Sequence, residues 1–203
     1  MKILSMHVLY KGADKPVMLK TAFELSFINF ATRHMAKGPL KFAARTCASK
    51  IKKNETIKVE LNDVDNACLY AHVNNDGLCS VIIADLEYPE SAAKKVLLEI
   101  QKGFLNLYSI DLIKQYETDQ EMKYPELDLM IKKYQDPKQA DKLIKIESEL
   151  NEIQGMLTKT MEDLLDRGEK LDDLMKQSDD ISNMAYNFYS KSKETNKKCC
   201  SIY

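Results

Sequence analysis

Up to residue 135 the apolar positions of this chain come in short runs broken by turn residues; beyond Asp136-Pro137 they recur every three or four residues with no proline to interrupt them. The first pattern predicts a mixed α and β domain. Ile3–Tyr10 and Val17–Leu25 read as paired strands around Lys11-Gly12 and Asp14-Lys15-Pro16. Leu40, Ala43, Ala44, Cys47 and Ile51 share one helical face. Pro39 suits the start of that helix, where its missing N–H would be unpaired anyway. Strands follow near Thr56–Leu61, Ala67–Val73 and Leu78–Leu86, the last two joined by Asn74-Asn75-Asp76-Gly77, residues that accept a hairpin turn. Ala93, Leu97, Ile100, Phe104 and Leu107 mark a second amphipathic helix from about Glu90 to Leu107. A polar connection over 109–124 then leads to a short third helix carrying Leu127, Met130, Ile131 and Tyr134.

The second pattern predicts one long helix from Ala140 to about Lys198, on the order of 85 Å at 1.5 Å per residue. Its seam runs Leu143, Ile146, Leu150, Ile153, Leu157, Thr160, Leu164, Arg167, Leu171, Leu174, Ser178, Ile181, Ala185, Phe188, Ser192 and Thr195. Eleven of these sixteen positions are apolar, which sets a coiled-coil register. Gly155 and Gly168 lie off the seam and weaken an isolated helix by roughly 1 kcal/mol each. Such a stripe needs other helices to cover it, or must fold back on its own domain. Arg167 stands out, because a guanidinium in an apolar seam requires acceptors from whatever packs there.

Composition narrows the function. Thirty basic and 31 acidic residues nearly cancel, so no basic field points to nucleic acid. Cys47, Cys68 and Cys79 lack metal-ligand spacing and read as small buried side chains of a reduced protein. His7, His34 and His72 are scattered, and His72, on an alternating strand, is expected to face solvent. The six glycines cannot form a phosphate-binding loop, which excludes a GTPase; no catalytic, metal or cofactor cluster emerges. The opening residues do not read as a signal peptide, and no run approaches the ~20 apolar residues of a membrane span. The last four residues, Cys200-Ser201-Ile202-Tyr203, have the C-a-a-X form of a prenylation signal, with Cys199 as a second lipid site; one chain alone anchors only marginally.

The run Met161-Glu162-Asp163-Leu164-Leu165-Asp166-Arg167-Gly168-Glu169-Lys170-Leu171-Asp172-Asp173-Leu174 closely resembles the centre of an R-SNARE motif. The opening MKILSMHVLYKG and Ala84-Asp85-Leu86-Glu87-Tyr88-Pro89 resemble a longin domain, and Tyr134 to Asp141 the junction between the two. With the terminal cysteines, the resemblance spans the chain and is to lipid-anchored longin-domain R-SNAREs, synaptobrevin homologues of the Ykt type. It implies an α+β, profilin-like fold, a five-stranded antiparallel sheet with flanking helices, followed by a long SNARE coiled-coil helix. The implied division is a regulatory longin domain over 1–135, a junction over 136–140, the motif with a short tether over 141–198, and a lipidation signal over 199–203.

Function follows by the same resemblance. The motif is expected to drive docking and fusion of vesicles in a parallel four-helix bundle with three glutamine-contributing helices, Arg167 forming the central polar layer. Cys200 is expected to carry a prenyl group and Cys199 a palmitate or second prenyl, placing the protein in the cytosol and on the cytoplasmic face of Golgi, ER and endosome or vacuole-type membranes. Ser201 and Tyr203 depart from the usual signal. Phe42 matches the family's groove, where an autoinhibitory longin domain covers the motif and the lipid. A prenylated sorting adaptor without fusogenic activity is the rival reading, which homodimerisation without affinity for glutamine-bearing helices would favour.

Overall fold

The computed structural model describes residues 2–12, 15–61, 67–142, 155–187 and 189–190. Its centre is a twisted sheet in the order β2-β1-β5-β4-β3-β6. The strands are β1 (Ile3–Tyr10), β2 (Val17–Phe23), β3 (Thr56–Leu61), β4 (Ala67–Val73), β5 (Leu78–Asp85) and β6 (Leu157–Thr160). Neighbours from β2 through β3 pair antiparallel, whereas β6 runs parallel to β3 in the register Ile57↔Leu157 to Glu60↔Thr160. The five expected strands are present, and β6 is an addition from the part of the chain read as a continuous helix.

Each face of the sheet buries its own core. α1 (Phe30–Lys50) covers one with Leu40, Ala44, Cys47, Ala48 and Ile51 against Leu9, Ile57, Leu69, Val81 and Ile83. α2 (Glu90–Leu107) and α4 (Pro125–Lys133) cover the other with Val96, Leu97, Ile100, Phe104, Leu127 and Ile131 against Met6, Val8, Tyr70 and Ile82. Central strands covered on both faces need apolar side chains on both, and β4 is buried at every position. The hairpin turn forms as predicted: Gly77 takes φ 93°, and Asn74 Oδ1 accepts the N–H groups of Asp76 and Leu78 at 3.0 and 2.9 Å.

The exposed edge of β2 is closed by the connection read as merely polar. The N–H groups of Gln120 and Met122 donate to the carbonyls of Met18 and Leu19 at 2.7 and 2.9 Å, and Asp119 Oδ1 accepts from the Met18 N–H at 2.9 Å. This connection also holds α3 (Ile110–Ile113) and buries Ile113, Met122 and Tyr124. A Cβ at Gly103 would collide with the Tyr124 hydroxyl, so glycine within α2 makes room for that ring.

Two further expectations are corrected. α1 begins at Phe30, nine residues before Pro39, which sits inside the helix. Its first turn is closed without help from Pro39, since the Asn29 carbonyl accepts the N–H groups of Thr32 and Arg33 at 3.0 Å each. The proline removes one ladder bond and the helix continues around it. His72 is buried, not solvent-facing: it shares a 2.8 Å hydrogen bond with Thr56 Oγ1, and its carbonyl accepts from Gln101 Nε2 at 3.0 Å. Helices cover both faces of the sheet here, so β4 leaves neither face to water.

Candidate functional site: the folded-back C-terminal segment

The described part of the long apolar seam is not one helix. After β6 come α5 (Met161–Leu164), an extended Leu165, a turn through Arg167 and Gly168, and α6 (Leu171–Gln177); residues 183–187 are again helical. The breaks have local causes. Thr160 caps α5, accepting from the Asp163 N–H at 3.2 Å while Asp163 Oδ2 accepts from the Thr160 N–H at 2.8 Å. These bonds hold the Asp163 carboxyl below the usual range. Gly168 adopts φ 96°, outside the right-handed helix, and the Asp166 N–H donates to Glu169 Oε2 at 2.7 Å instead of to a helical carbonyl. A lone amphipathic helix gains little in water. Here the same side chains are buried on the domain.

The segment lies against α1. Met161 and Leu164 enter the core cluster of Ala44, Cys47 and Ile57, with Leu171 at its margin. Farther along, Met175, Ile181, Ala185 and Tyr189 close over Phe42, and Met35, Leu174 and Tyr186 pack around them. Phe42 is 7% exposed, and the buried residues of its cluster all come from the C-terminal segment. Gly38 allows the closest approach: a Cβ there would lie 2.7 Å from the Asp180 carbonyl oxygen, so the segment's backbone passes directly over the helix.

Charges fix the register of this contact. Arg45, on α1, donates through Nε and Nη2 to Asp180 Oδ2 and Oδ1 at 2.7 and 3.0 Å, and through Nη1 and Nη2 to Asp119 Oδ1 and Oδ2 at 3.0 and 2.6 Å. Nη1 also reaches the Pro16 carbonyl at 2.5 Å. Burial disfavours the guanidinium's charge, but its bonds to Asp180 and Asp119 outweigh that and raise its pKa. For Asp119, burial pushes upward, while bonds from Arg45 and the Met18 N–H prevail and lower its pKa. At the far end of α1, Lys50 Nζ reaches Asp166 at 2.5 Å and Glu169 at 2.9 Å, bonds that raise its pKa.

The expected seam residues divide clearly. Leu164, Ile181 and Ala185 are buried on the domain, and Leu171, Leu174 and Ser178 are half-buried. Thr160 is a cap, and Leu157 on β6 is 53% exposed. Arg167 is exposed in the turn before Gly168, away from the apolar contact. Leu143, Ile146, Leu150, Ile153, Phe188, Ser192, Thr195, Cys199 and Cys200 lie outside the described residues.

Sequence reasoning missed Gly38, Arg45, Lys50, Met175, Asp180 and Tyr189. One signal was available for Arg45, an arginine between the apolar-face residues Ala44 and Cys47. Met175 and Tyr189 each sit one position beyond a seam residue, off the predicted stripe. Among the described residues no cluster of His, Cys, Asp and Glu could hold a metal ion, and no helix is long and apolar enough to cross a membrane.

Two family models match separate parts of the chain. Residues 25–131 match the Longin family, a regulated-SNARE-like domain, and residues 142–201 match the Synaptobrevin family. The synaptobrevin homolog ykt6 of Schizosaccharomyces pombe is 37% identical over 208 aligned residues, covering all of both chains. The corresponding homologs of Debaryomyces hansenii and Saccharomyces cerevisiae are 34% and 33% identical, again over the full length of each. The chain therefore belongs to the longin-domain R-SNAREs, a family of trafficking proteins rather than enzymes, as a synaptobrevin homologue of the Ykt type.

Proposed function

We propose that this SNARE drives fusion of transport vesicles by pairing its C-terminal motif with three glutamine-contributing helices in a parallel bundle, and that its longin domain holds the motif inactive until partners arrive. The observation that carries this reading is the burial of Leu164, Ile181 and Ala185 on α1. The same side chains would form layers of the bundle, so the two arrangements exclude each other. Arg167 would supply the central polar layer, its donors meeting the partners' glutamine oxygens between the Leu164 and Leu171 layers. Cys200 would carry a prenyl group and Cys199 a palmitate or second prenyl, which joins the end of the bundle to the cytoplasmic face of Golgi, ER or endosome-type membranes.

The test is Phe42→Glu. A carboxylate placed against Met175, Ile181, Ala185 and Tyr189 loses its hydration unless the segment leaves. Protease sensitivity over 155–190 should rise, and assembly with partner helices should quicken, while the domain stays folded. A folded variant whose assembly rate does not change refutes the inhibitory role.

A further inference from the structure

One end of the sheet carries aromatic side chains that the domain does not bury. Phe27 is 44% exposed and Phe30, at the start of α1, 84%; Leu86, just beyond β5, is 44% exposed. β2 ends, β1 begins and β5 ends here, since the Lys2 carbonyl accepts from the Asp85 N–H at 3.0 Å and the Leu4 carbonyl from the Glu24 N–H at 3.0 Å. Both exposed rings, and the half-buried Phe23 at the end of β2, have a cation over them. Lys2 Nζ stands 4.6 Å from the centre of Phe27, the Arg33 guanidinium 5.8 Å from Phe30, and Lys37 Nζ 5.4 Å from Phe23. The loop is held in shape: Arg33 Nη2 donates to the carbonyls of Ser26 and Ile28 at 3.0 and 3.1 Å, and Glu24 Oε1 accepts from the Ser26 N–H at 3.1 Å. The Glu24 carboxylate is engaged within the loop, and Lys2, His34 and Lys37 face solvent, with Glu87 beside Leu86 an exposed carboxylate at this end.

We propose that this end of the domain is a docking surface for an anionic lipid bilayer, with Phe27 and Phe30 entering the headgroup region and Lys2 and Lys37 meeting the acidic headgroups while Arg33 holds the loop in shape. Charge complementarity selects the occupant: aromatic rings ringed by amphipathic cations match the interface of a negatively charged leaflet. Geometry permits a second attachment, and this part rests on the lipid reading above. Tyr189 packs in the cluster of Phe42 and Met35. Phe42 and Phe30 are about 18 Å apart along α1. Cys199 is nine positions beyond Ser190 in sequence, at most about 30 to 32 Å of chain if extended, so a lipid on Cys199 would come within reach of a membrane beneath the patch without release of the motif. The surface would therefore let the folded-back form rest on a membrane.

The experiment uses the full-length chain without lipid, so that vesicle binding reports the patch and not the anchor. Failure of the anchor would appear instead as unchanged membrane fractionation of Cys200→Ser in cells. The chain has no tryptophan, so Phe30→Trp gives a single reporter. Its emission should be that of an exposed indole in buffer and shift to the blue with vesicles of phosphatidylcholine containing one-third phosphatidylserine. Binding should be at least about tenfold weaker to phosphatidylcholine alone, since each surface cation contributes about fivefold on the anionic surface, and should fall with salt. Phe27→Ala with Phe30→Ala should lower it about tenfold or more. Phe30→Ser alone is the control should the double variant unfold. Three results would each overturn the proposal: equal binding to neutral vesicles, no loss in either variant, or indole emission from the Phe30→Trp protein already blue-shifted in buffer. The last would show that the chain itself covers the patch.

Discussion

Arg45 and Asp180 meet side-on, guanidinium to carboxylate, across the boundary between the domain and the folded-back segment, at 2.7 and 3.0 Å. Both side chains are 9% exposed, so their attraction is little screened. Asp180→Asn keeps the shape but removes the charge, leaving Asp119 as the carboxylate that still partners Arg45. The segment should be held less tightly by about 2 to 3 kcal/mol, short of the largest losses for buried pairs because Asp119 still partners the arginine. Hydrogen exchange over residues 171–187 should accelerate roughly 30-fold or more. Unchanged exchange would mean that the apolar contacts alone set the closed state.

Gly38→Ala should have opposite effects on the two halves of the molecule. Alanine favours the helical backbone of α1 by up to about 1 kcal/mol. Its methyl group, however, would lie 2.7 Å from the Asp180 carbonyl oxygen. The melting temperature of the domain should hold or rise while proteolysis of 155–190 speeds up. A variant that stays closed would show that the segment can shift outward at little cost.

Arg167→Leu should leave the folded-back state almost untouched, within about 0.5 kcal/mol, because this side chain is exposed. Its effect should appear in the proposed bundle, where flanking leucine layers keep assembly going but register and partner choice relax. Competition among glutamine-bearing partner helices measures this. Equal discrimination by the two proteins would remove Arg167 from its role.

His7 should make the domain sensitive to acid. Burial, aided by the positive charges of Lys41 and Arg45, lowers its pKa from 6.5 to about 3. The unfolded chain takes up a proton below 6.5 that the folded one refuses, so stability present above pH 6.5 is lost progressively down to about pH 3. The slope is at most about 1.4 kcal/mol per pH unit, or about 2 kcal/mol between pH 7 and pH 5. Urea unfolding of the native chain and of His7→Leu, compared across that range, should show the native curve falling more steeply. Parallel curves would mean that the imidazole charges within the folded domain.

Sequence was a good guide wherever an element answers to its own residues. The β4–β5 hairpin needed only Asn74 and Gly77, and α2 only its apolar stripe. Pro39 misled because a proline marks a helix start only when the preceding residues do not extend the helix, and here Asn29 closes an earlier first turn. The C-terminal seam posed a deeper difficulty. Its three-and-four spacing describes a helix among other helices, and in the lone chain α1 takes their place. The short elements β6, α5 and α6 then follow from Thr160, Gly168 and the shape of the surface they cover, not from the spacing. Arg45 and Asp180 are 135 positions apart, and nothing local to either indicates the other.

The parallel pairing of Leu157–Thr160 with Ile57–Glu60 has a consequence for the domain left behind. If those four residues join a helix, as the proposed function requires, the outer edge of β3 would have backbone donors and acceptors facing water, while β2 keeps its cover from residues 119–122. On that proposal activation would create an adhesive margin on one side only, able to recruit an extended peptide or a second domain by strand addition. Lys58 and Glu60 on β3 are the charged side chains at hand to discourage indiscriminate pairing, and on that proposal the time spent with the margin bare would be a cost of each round of activity.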